Sequence, residues 1–457
     1  MQSNWSNKKK WFIISPFIAF IVFKISSFPV YIDEATTFLE YSSQGFWTTL
    51  TTYNEPNNHV FFSLLATLAV KLPIDPLIAM RLINLVLSII CLSLLYDFLK
   101  KKFSETSTLI AFTFFVFSYA YTFYSIFARG YLLIILFTLI SFLLIDKIQD
   151  KFEFRFYFLF GLVTTLGFFT IPIYLYVSLS FGIILIIQFW KDKKKLMTFI
   201  ITYFISGIGV FILYLPIIYF NGIKSITNNE YSQPKLKSEV IDFLKTSWFG
   251  FYDKIFGVQS GLIFMALIGI SMFHLIRKNT NKQIDINLLV FLIIPFLGVY
   301  FQNVIPGFRT WIYVLVPITI ALASYIENYE KNVNENLKWL TTVLLLVTIP
   351  IIQVKIFNKS NPYAGRENDI EANRIARFLK SIPERRNLLF LDGKKDYDIV
   401  IYLFERERNR KNNKIFFDHN LEKQPKNTII ISKKAISSSN KIVLIKKFKT
   451  KFIYKLM

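Results

Sequence analysis

The sequence predicts a polytopic, all-α membrane protein with a small α/β domain at its C-terminal end. Of its 457 residues, 53% are hydrophobic and 18% are charged, a balance foreign to soluble chains of this length. Eleven apolar runs are long enough to cross a bilayer core of about 30 Å, which takes about 20 helical residues. They lie at 11–30, 79–98, 107–125, 130–146, 154–170, 173–190, 196–220, 259–276, 285–304, 310–327 and 337–357. After residue 357 the long apolar runs stop and short β-rich runs replace them. This divides the chain into a membrane domain, 1–357, and a second domain, 358–457.

The first run is too long for the apolar core of a secretory signal, and no small-residue cleavage site follows it. It is expected to stay in place as a membrane anchor. A twelfth run, His59 to Leu72, is short for a span, and its status fixes the side of every later loop. If it does not span and the N-terminus is cytoplasmic, the inner loops collect 18 Lys and Arg, among them Lys8–Lys10, Lys100–Lys102, Lys193–Lys195 and Arg277/Lys278. The outer loops then hold none in 31–57, single arginines at Arg129 and Arg309, and five basic residues in 221–258. Reading 59–72 as a span moves all but the first cluster outside, against the positive-inside rule. The expected topology is therefore eleven spans in the plasma (inner) membrane, with the N-terminus cytoplasmic and the C-terminal domain extracytoplasmic. Residues 31–78 become one outer loop with an interfacial helix, whose buried face is expected to be Phe61, Phe62, Leu64 and Leu65.

The net charge of +23 follows from these orientation clusters and from a basic C-terminal region, a pattern suited to anionic lipid and not to nucleic acid. A single cysteine, Cys91, excludes a disulfide framework and a thiolate metal site. The three histidines, His59, His274 and His419, are scattered. In the C-terminal domain Asp369 is expected to cap a helix with Ile375, Phe378 and Leu379 on one face, closed by Pro383. Strands are expected at 387–391, 399–404, 414–417, 428–432 and 442–446.

Few polar groups stand out. Asp33 and Glu34, in Tyr31-Ile-Asp-Glu-Ala-Thr36, are the first acids of the chain and follow the first span directly. Acids at that position are commonly solvated loop residues. Here, however, the loop to residue 57 has no Lys or Arg, and it turns back to the interface through 59–72, which encloses the acids. A carboxylate in such a place can serve as general base for an acceptor hydroxyl or amine, helped by a pKa raised through desolvation and a neighbouring like charge. In Tyr53-Asn-Glu-Pro-Asn-Asn-His59, either Asn57 or Asn58 caps the interfacial helix, or Glu55, Asn58 and His59 line the same outer cavity; the pattern supports both. Arg129, in Phe127-Ala-Arg-Gly-Tyr131, and Arg309, in Pro306-Gly-Phe-Arg-Thr310, sit at outer helix ends, where snorkelling is the plain reading. The orientation rule disfavours both, and a guanidinium kept against it suits a fixed anion such as phosphate. Within the spans Asp97, Asp146 and His274 lie near cytoplasmic ends, and there is no acidic ladder of the kind a proton-coupled transporter needs.

In this order, the span, Asp33-Glu34, Pro56-Asn-Asn-His59 opening an interfacial helix, Arg81-Leu-Ile-Asn84 opening the next span, Ala128-Arg-Gly-Tyr131 and Arg309-Thr-Trp-Ile-Tyr-Val-Leu-Val-Pro317 resemble the GT-C superfamily of membrane glycosyltransferases. The resemblance is to the glycosyltransferase family 39-like branch of protein O-mannosyltransferases and aminoarabinose transferases, and it covers residues 1 to about 357. It implies a lipid-linked sugar donor (polyprenyl phosphate), transfer on the outer membrane face to a glycan, lipid or protein acceptor, and inversion at the anomeric carbon. It also implies Asp33 as the catalytic acid residue with Glu34 beside it, and Arg129 and Arg309 near the lipid phosphate; with the cavity reading of Glu55, Asn58 and His59, and Tyr131 of the Arg-Gly-Tyr segment, these make the expected substrate-binding residues. Some relatives hold a divalent cation in the outer cavity; the sequence names no ligand set for one. The commoner family pattern has His-Pro-Pro where this chain has His59-Val60-Phe61. Two alternatives use the same lipid-linked substrates: a flippase or exporter of lipid-linked glycans, and an O-antigen ligase or polymerase type enzyme with its key residues in a late outer loop such as 221–258.

Overall fold

A computed structural model describes residues 2–53, 58–227, 233–256, 266, 268–273, 282–331, 333–359, 366–382, 387–391, 397–408, 415–416, 426–436, 442–449 and 451–457. The membrane domain is a helical bundle. Helix α1 (Gln2–Ser27) leads into the loop expected to lie outside, which holds α2 (Ile32–Thr36), a π-helical turn (Thr37–Tyr41), α3 (Phe46–Thr51) and α4 (Val60–Ala69). Then come α5 (Pro76–Lys102), α6 (Glu105–Phe117), α7 (Tyr119–Ile126), α8 (Tyr131–Asp150), α9 (Phe154–Thr170), α10 (Tyr174–Phe189), α11 (Lys193–Asn221), α12 (Lys224–Thr227) and α13 (Lys237–Phe256). The bundle ends with α14 (Lys282–Gln302), a 3₁₀ segment (Phe308–Val314), α15 (Leu315–Glu330) and α16 (Glu335–Lys359).

Among the described residues seven helices have the length and apolarity to cross a membrane, and an eighth is counted if α6 and α7 form one bent span. Helices α9 and α10 are shorter apolar helices beside them. The expected run 259–276 lies largely outside the described residues. The expected run 107–125 is not one straight helix: α6 and α7 meet at Ser118 with a bend of 52°. Ser118 is extended (φ −58°, ψ 142°); its hydroxyl donates to the Phe115 carbonyl and accepts from Tyr121 N–H, so it ends one helix and caps the next.

Helix α4 has ten residues, about 15 Å at the α-helical rise, half of a hydrocarbon core. Its buried side differs from the expected one. Val60, Phe62, Ser63, Ala66 and Thr67 are buried, while Phe61, Leu64 and Leu65 are only partly covered. The helix packs against α3, α5 and α9, so protein covers part of it. Thr67 shares a hydrogen bond of 3.0 Å with Thr49 of α3, which gives the polar stripe its partner. Helix α5 starts sharply, with Asp75 accepting from Leu77 and Ile78 N–H and Pro76 in the first turn.

The C-terminal domain has α17 (Arg366–Lys380), β1 (Leu388–Phe390), α18 (Tyr397–Arg408), β2 (Ile415–Phe416), β3 (Ile429–Ser432), β4 (Ile442–Lys447) and β5 (Phe452–Leu456). The sheet order is β2-β1-β3-β5-β4, parallel among the first three strands and antiparallel beyond. Three local expectations need correction. Asp369 lies inside α17, which starts at Arg366; Pro383 falls outside the described residues. Residues 399–404 are helical, because a short β-branched run does not separate strand from buried helix; α18 buries Ile401 and Phe404 one turn apart. Strand β5 was not expected, since Lys451 before it and Lys455 within it leave only a short apolar run.

This domain packs on the outer loop through α18 against α2. Near the C-terminal end of α16, Phe357 stacks on Phe28 at the end of α1, with ring centroids 5.9 Å apart. The loop and the domain therefore share one side of the membrane. In a Cys91→Ala background, S43C and A435C, both at exposed positions, should react with an impermeant maleimide from the same face of sealed membranes. Labelling from opposite faces would contradict the packing.

Candidate functional site

The site is assembled by a polar stripe on α5. Arg81 is fully buried and its guanidinium reaches three pieces of chain. It donates to the carbonyls of Ile25, Phe28 and Pro29 at the end of α1 (2.7, 3.0 and 2.8 Å) and grips both oxygens of Glu34 in α2 (2.9 and 2.7 Å). Glu34 also accepts from Ala128 N–H (2.9 Å) and Tyr31 N–H (3.2 Å). One turn along α5, Asn84 donates to the carbonyls of Tyr124, Phe127 and Arg129. Two residues on one helix face thus register the Asp33 loop against the Arg129 loop.

Glu34 departs here from its expected place beside Asp33 in catalysis. Both its oxygens are occupied and its side chain is wholly buried, which leaves no free lone pair facing a substrate. Asp33 points the other way. It forms an ion pair with Arg309, with side-chain exposures of 18% and 32%, so the pair borders open space. Arg129 is buried; its Nη1 donates to the Thr37 hydroxyl (2.7 Å) and to the Asp33 carbonyl (3.4 Å). The Thr37 hydroxyl donates in turn to that carbonyl (2.7 Å).

The electrostatics differ from the expected raised carboxyl. Burial alone pushes the Asp33 pKa up. The charges of Arg309 and Arg129 and the hydrogen bond from Arg309 outweigh it and hold the group below the usual carboxylate value. Glu34 contributes no open like charge, because Arg81 neutralises it.

His59 caps α4 by backbone position alone. Its Nδ1 accepts from Gly130 N–H at 3.0 Å, so a neutral ring carries its proton on Nε2. Burial first, and then the charges of Arg129 and Arg309, keep its pKa well below the ordinary imidazole value. Tyr131 packs edge-on against His59 (centroids 4.7 Å) and lies under the Arg309 guanidinium (5.8 Å). Gly130 permits this approach, since a Cβ there would meet Thr170 Cγ2 at 2.7 Å and His59 Cβ and Nδ1 at 3.1 Å. The 3₁₀ segment places Arg309 by burying Trp311 two residues on, against Phe296 (5.0 Å) and Tyr176 (6.3 Å).

Of the sequence-derived residues, the fold brings Asp33, His59, Arg129, Tyr131 and Arg309 together. Asn58 is buried and donates to the Thr49 and Thr52 carbonyls (3.0 and 2.9 Å) at the end of α3, so it does not cap α4. Glu55 lies outside the described residues. Arg81, Asn84, Thr37 and Tyr53 had been assigned no role. Burial pushes the Tyr53 phenol up to about 12, with the Arg129 charge opposing. Arg81 carried a readable signal: an arginine inside a spanning run is costly without a partner, although five acids lie nearer to it in sequence than Glu34 does. Among the described residues no three His, Cys, Asp or Glu side chains converge as metal ligands.

The bundle, its outer-loop helices and the appended domain define the class: an integral membrane protein of GT-C-type fold. In particular the chain has the fold of ArnT, an aminoarabinose transferase, from Cupriavidus metallidurans. The structure of that protein bound to undecaprenyl phosphate aligns over 96% of this chain and 97% of its own, with a TM-score of 0.57 and 10% identity. Its apo structure covers the same shares, with a TM-score of 0.59 and 10% identity. An oligosaccharyltransferase from Archaeoglobus fulgidus, tethered to an acceptor peptide, aligns over 90% of this chain and 64% of its own, with a TM-score of 0.45 and 10% identity. No family model matches the sequence. No curated protein matches it either.

Arg81→Ala strands the buried Glu34 carboxylate, and breaking a buried ion pair in this way costs about 3–5 kcal/mol. A large drop in unfolding temperature in detergent is expected. Glu34→Gln with Arg81→Met, which removes both charges, should lose clearly less. Equal losses would contradict the buried-charge account.

Proposed function

We propose that the protein is an inverting glycosyltransferase that moves a sugar from a polyprenyl-phosphate donor to an acceptor on the extracytoplasmic membrane face. The observation that carries this reading is the Asp33 carboxylate held between Arg309 and Arg129 at the outer end of a GT-C-type bundle. The undecaprenyl phosphate named for the ArnT structure is the donor chemistry such a pair of guanidiniums suits.

In the reaction, an acceptor hydroxyl or amine attacks the anomeric carbon and Asp33 takes its proton. The bond from that carbon to the phosphate oxygen breaks, and the prenyl phosphate leaves with the electron pair. Arg309 and Arg129 stabilise the charge that develops on it. The neutral Nε2–H of His59 is a further donor of the same site. A single displacement inverts the centre. It is favoured because a double displacement needs a second open carboxylate, and among the described residues the neighbouring Glu34 is committed to Arg81. A divalent cation does not fit the described donor set, since the accessible carboxylate faces two guanidiniums, and no step is routed through one.

The ligand-free ion pair has a kinetic consequence. While Arg309 holds Asp33, the carboxylate is a weak base. A donor phosphate competes for Arg309, and when it succeeds Asp33 loses a cation and gains an anionic neighbour, both of which raise its pKa. Because the acid limb of kcat/KM reports the free enzyme and that of kcat the substrate complex, the kcat limb should lie at higher pH than the kcat/KM limb. Coincident limbs would contradict the exchange. In membranes supplied with a polyprenyl-phosphate sugar, Asp33→Asn should lose transfer by about 10²–10⁴-fold, the usual share of general base catalysis, while still binding the lipid. Full activity in that variant removes Asp33 as base. Lipid-linked sugar bound with no glycosyl product from the native chain favours the exporter reading.

A further inference from the structure

We propose that the C-terminal α/β domain is a working part of this site and that Asn373 is a positioning residue for Asp33, acting through Val30. The proposal rests on the reading above for what Asp33 does, but the positional claim stands on separate contacts. Asn373, on α17, engages both main-chain groups of Val30: its Nδ2 donates to the Val30 carbonyl at 2.7 Å, and its Oδ1 accepts from the Val30 N–H at 3.2 Å. A second grip comes from α18, where the fully buried Phe404 packs edge-on against Phe38 (centroids 5.2 Å, planes at 88°).

The two grips bracket the acid. Val30 lies three residues before Asp33 and Phe38 five after it, with α2 between them. Helix α2 has only five residues, far too few to hold its shape alone, so its position is set by what it docks against. On the membrane side that is Arg81 holding Glu34. On the other side it is the C-terminal domain. Adjacent residues 33 and 34 therefore answer to different partners: Glu34 is fixed from α5, while the approach of Asp33 to Arg309 depends on a segment clamped from residues 373 and 404. Removing the clamp loosens Val30 in the entry to α2, which Arg81 still holds at Phe28 and Pro29, and weakens the Asp33–Arg309 pair. The Asp33 pKa should then rise, because the Arg309 charge that offsets its burial is less well placed.

The test uses the full chain in detergent or nanodiscs, with undecaprenyl phosphate as the probe, so that no acceptor is needed. Hydrogen–deuterium exchange across residues 31–41 should be about tenfold faster in Asn373→Ala than in the native chain, the scale expected from losing two ordinary hydrogen bonds, with α8 unchanged. Protonating Asp33 releases Arg309 to the lipid phosphate, so binding should contain a component that tightens as pH falls. In Asn373→Ala this component should move to higher pH. In Asp33→Asn it should be absent, and adding Asn373→Ala should have no further effect on it. Asn373→Gln, which keeps the amide, should recover part of both signals.

Unchanged exchange across 31–41 and an unmoved pH component in a folded Asn373→Ala overturn the proposal. If that variant does not fold, Asn373→Gln and Phe404→Leu carry the same two readouts. If the native chain binds no undecaprenyl phosphate, the functional reading falls, while exchange alone still decides whether Asn373 holds the segment.

Discussion

The buried pair of Arg81 and Glu34 is the interaction on which the Asp33 end of this molecule depends. Taking two charges out of water costs several kcal/mol per ion and is offset only when every remaining donor and acceptor is satisfied. That condition is met. The Arg81 guanidinium reaches three carbonyls as well as the carboxylate, and Glu34 takes two further backbone N–H groups. The result is a junction where the end of the first helix, the acidic turn and the loop before Arg129 meet on one rigid helix. Asn84 extends it by a turn. Asp33 and Arg129 occupy fixed positions because their neighbours in sequence do.

This arrangement separates two adjacent carboxylates by function. Glu34 is spent on structure, and its charge is cancelled where it sits. Asp33 is left in an environment set by cations, with Arg309 in contact and Arg129 behind it. An acid so placed is a poor base until an anion relieves it. Under the proposed function, this pairing ties the chemical step to the arrival of a charged leaving group and keeps the carboxylate from unproductive proton uptake before it arrives. Control of this kind needs no moving lid; competition for one guanidinium is enough.

Much of this was legible in the sequence, for specific reasons. Arg129 and Arg309 stood out because basic residues in short outer loops run against the orientation rule, and Asp33 because the loop around it had no cation to pair with. The short run at 59–72 read correctly as a helix too short to span. What could not be read depends on tertiary partners. Asp33 was expected to have a raised pKa, and the sequence had no means of showing that Arg309, nearly 280 positions away, would sit on it. Arg81 looked like the edge of a span. Residues 399–404 had the composition of a strand and form a helix that buries Ile401 and sets Phe404 against Phe38 of the loop. The break at Ser118 lies within an apolar stretch that, by composition alone, reads as one span.

The most direct measurement is a cryo-electron microscopy structure of the full chain with undecaprenyl phosphate, read at Arg309. The account predicts the lipid phosphate on the Arg309 guanidinium, with Arg129 nearby, Asp33 separated from Arg309 and open to the cavity, and Glu34 still held by Arg81. A phosphate bound elsewhere, with the Asp33–Arg309 pair intact, would contradict it.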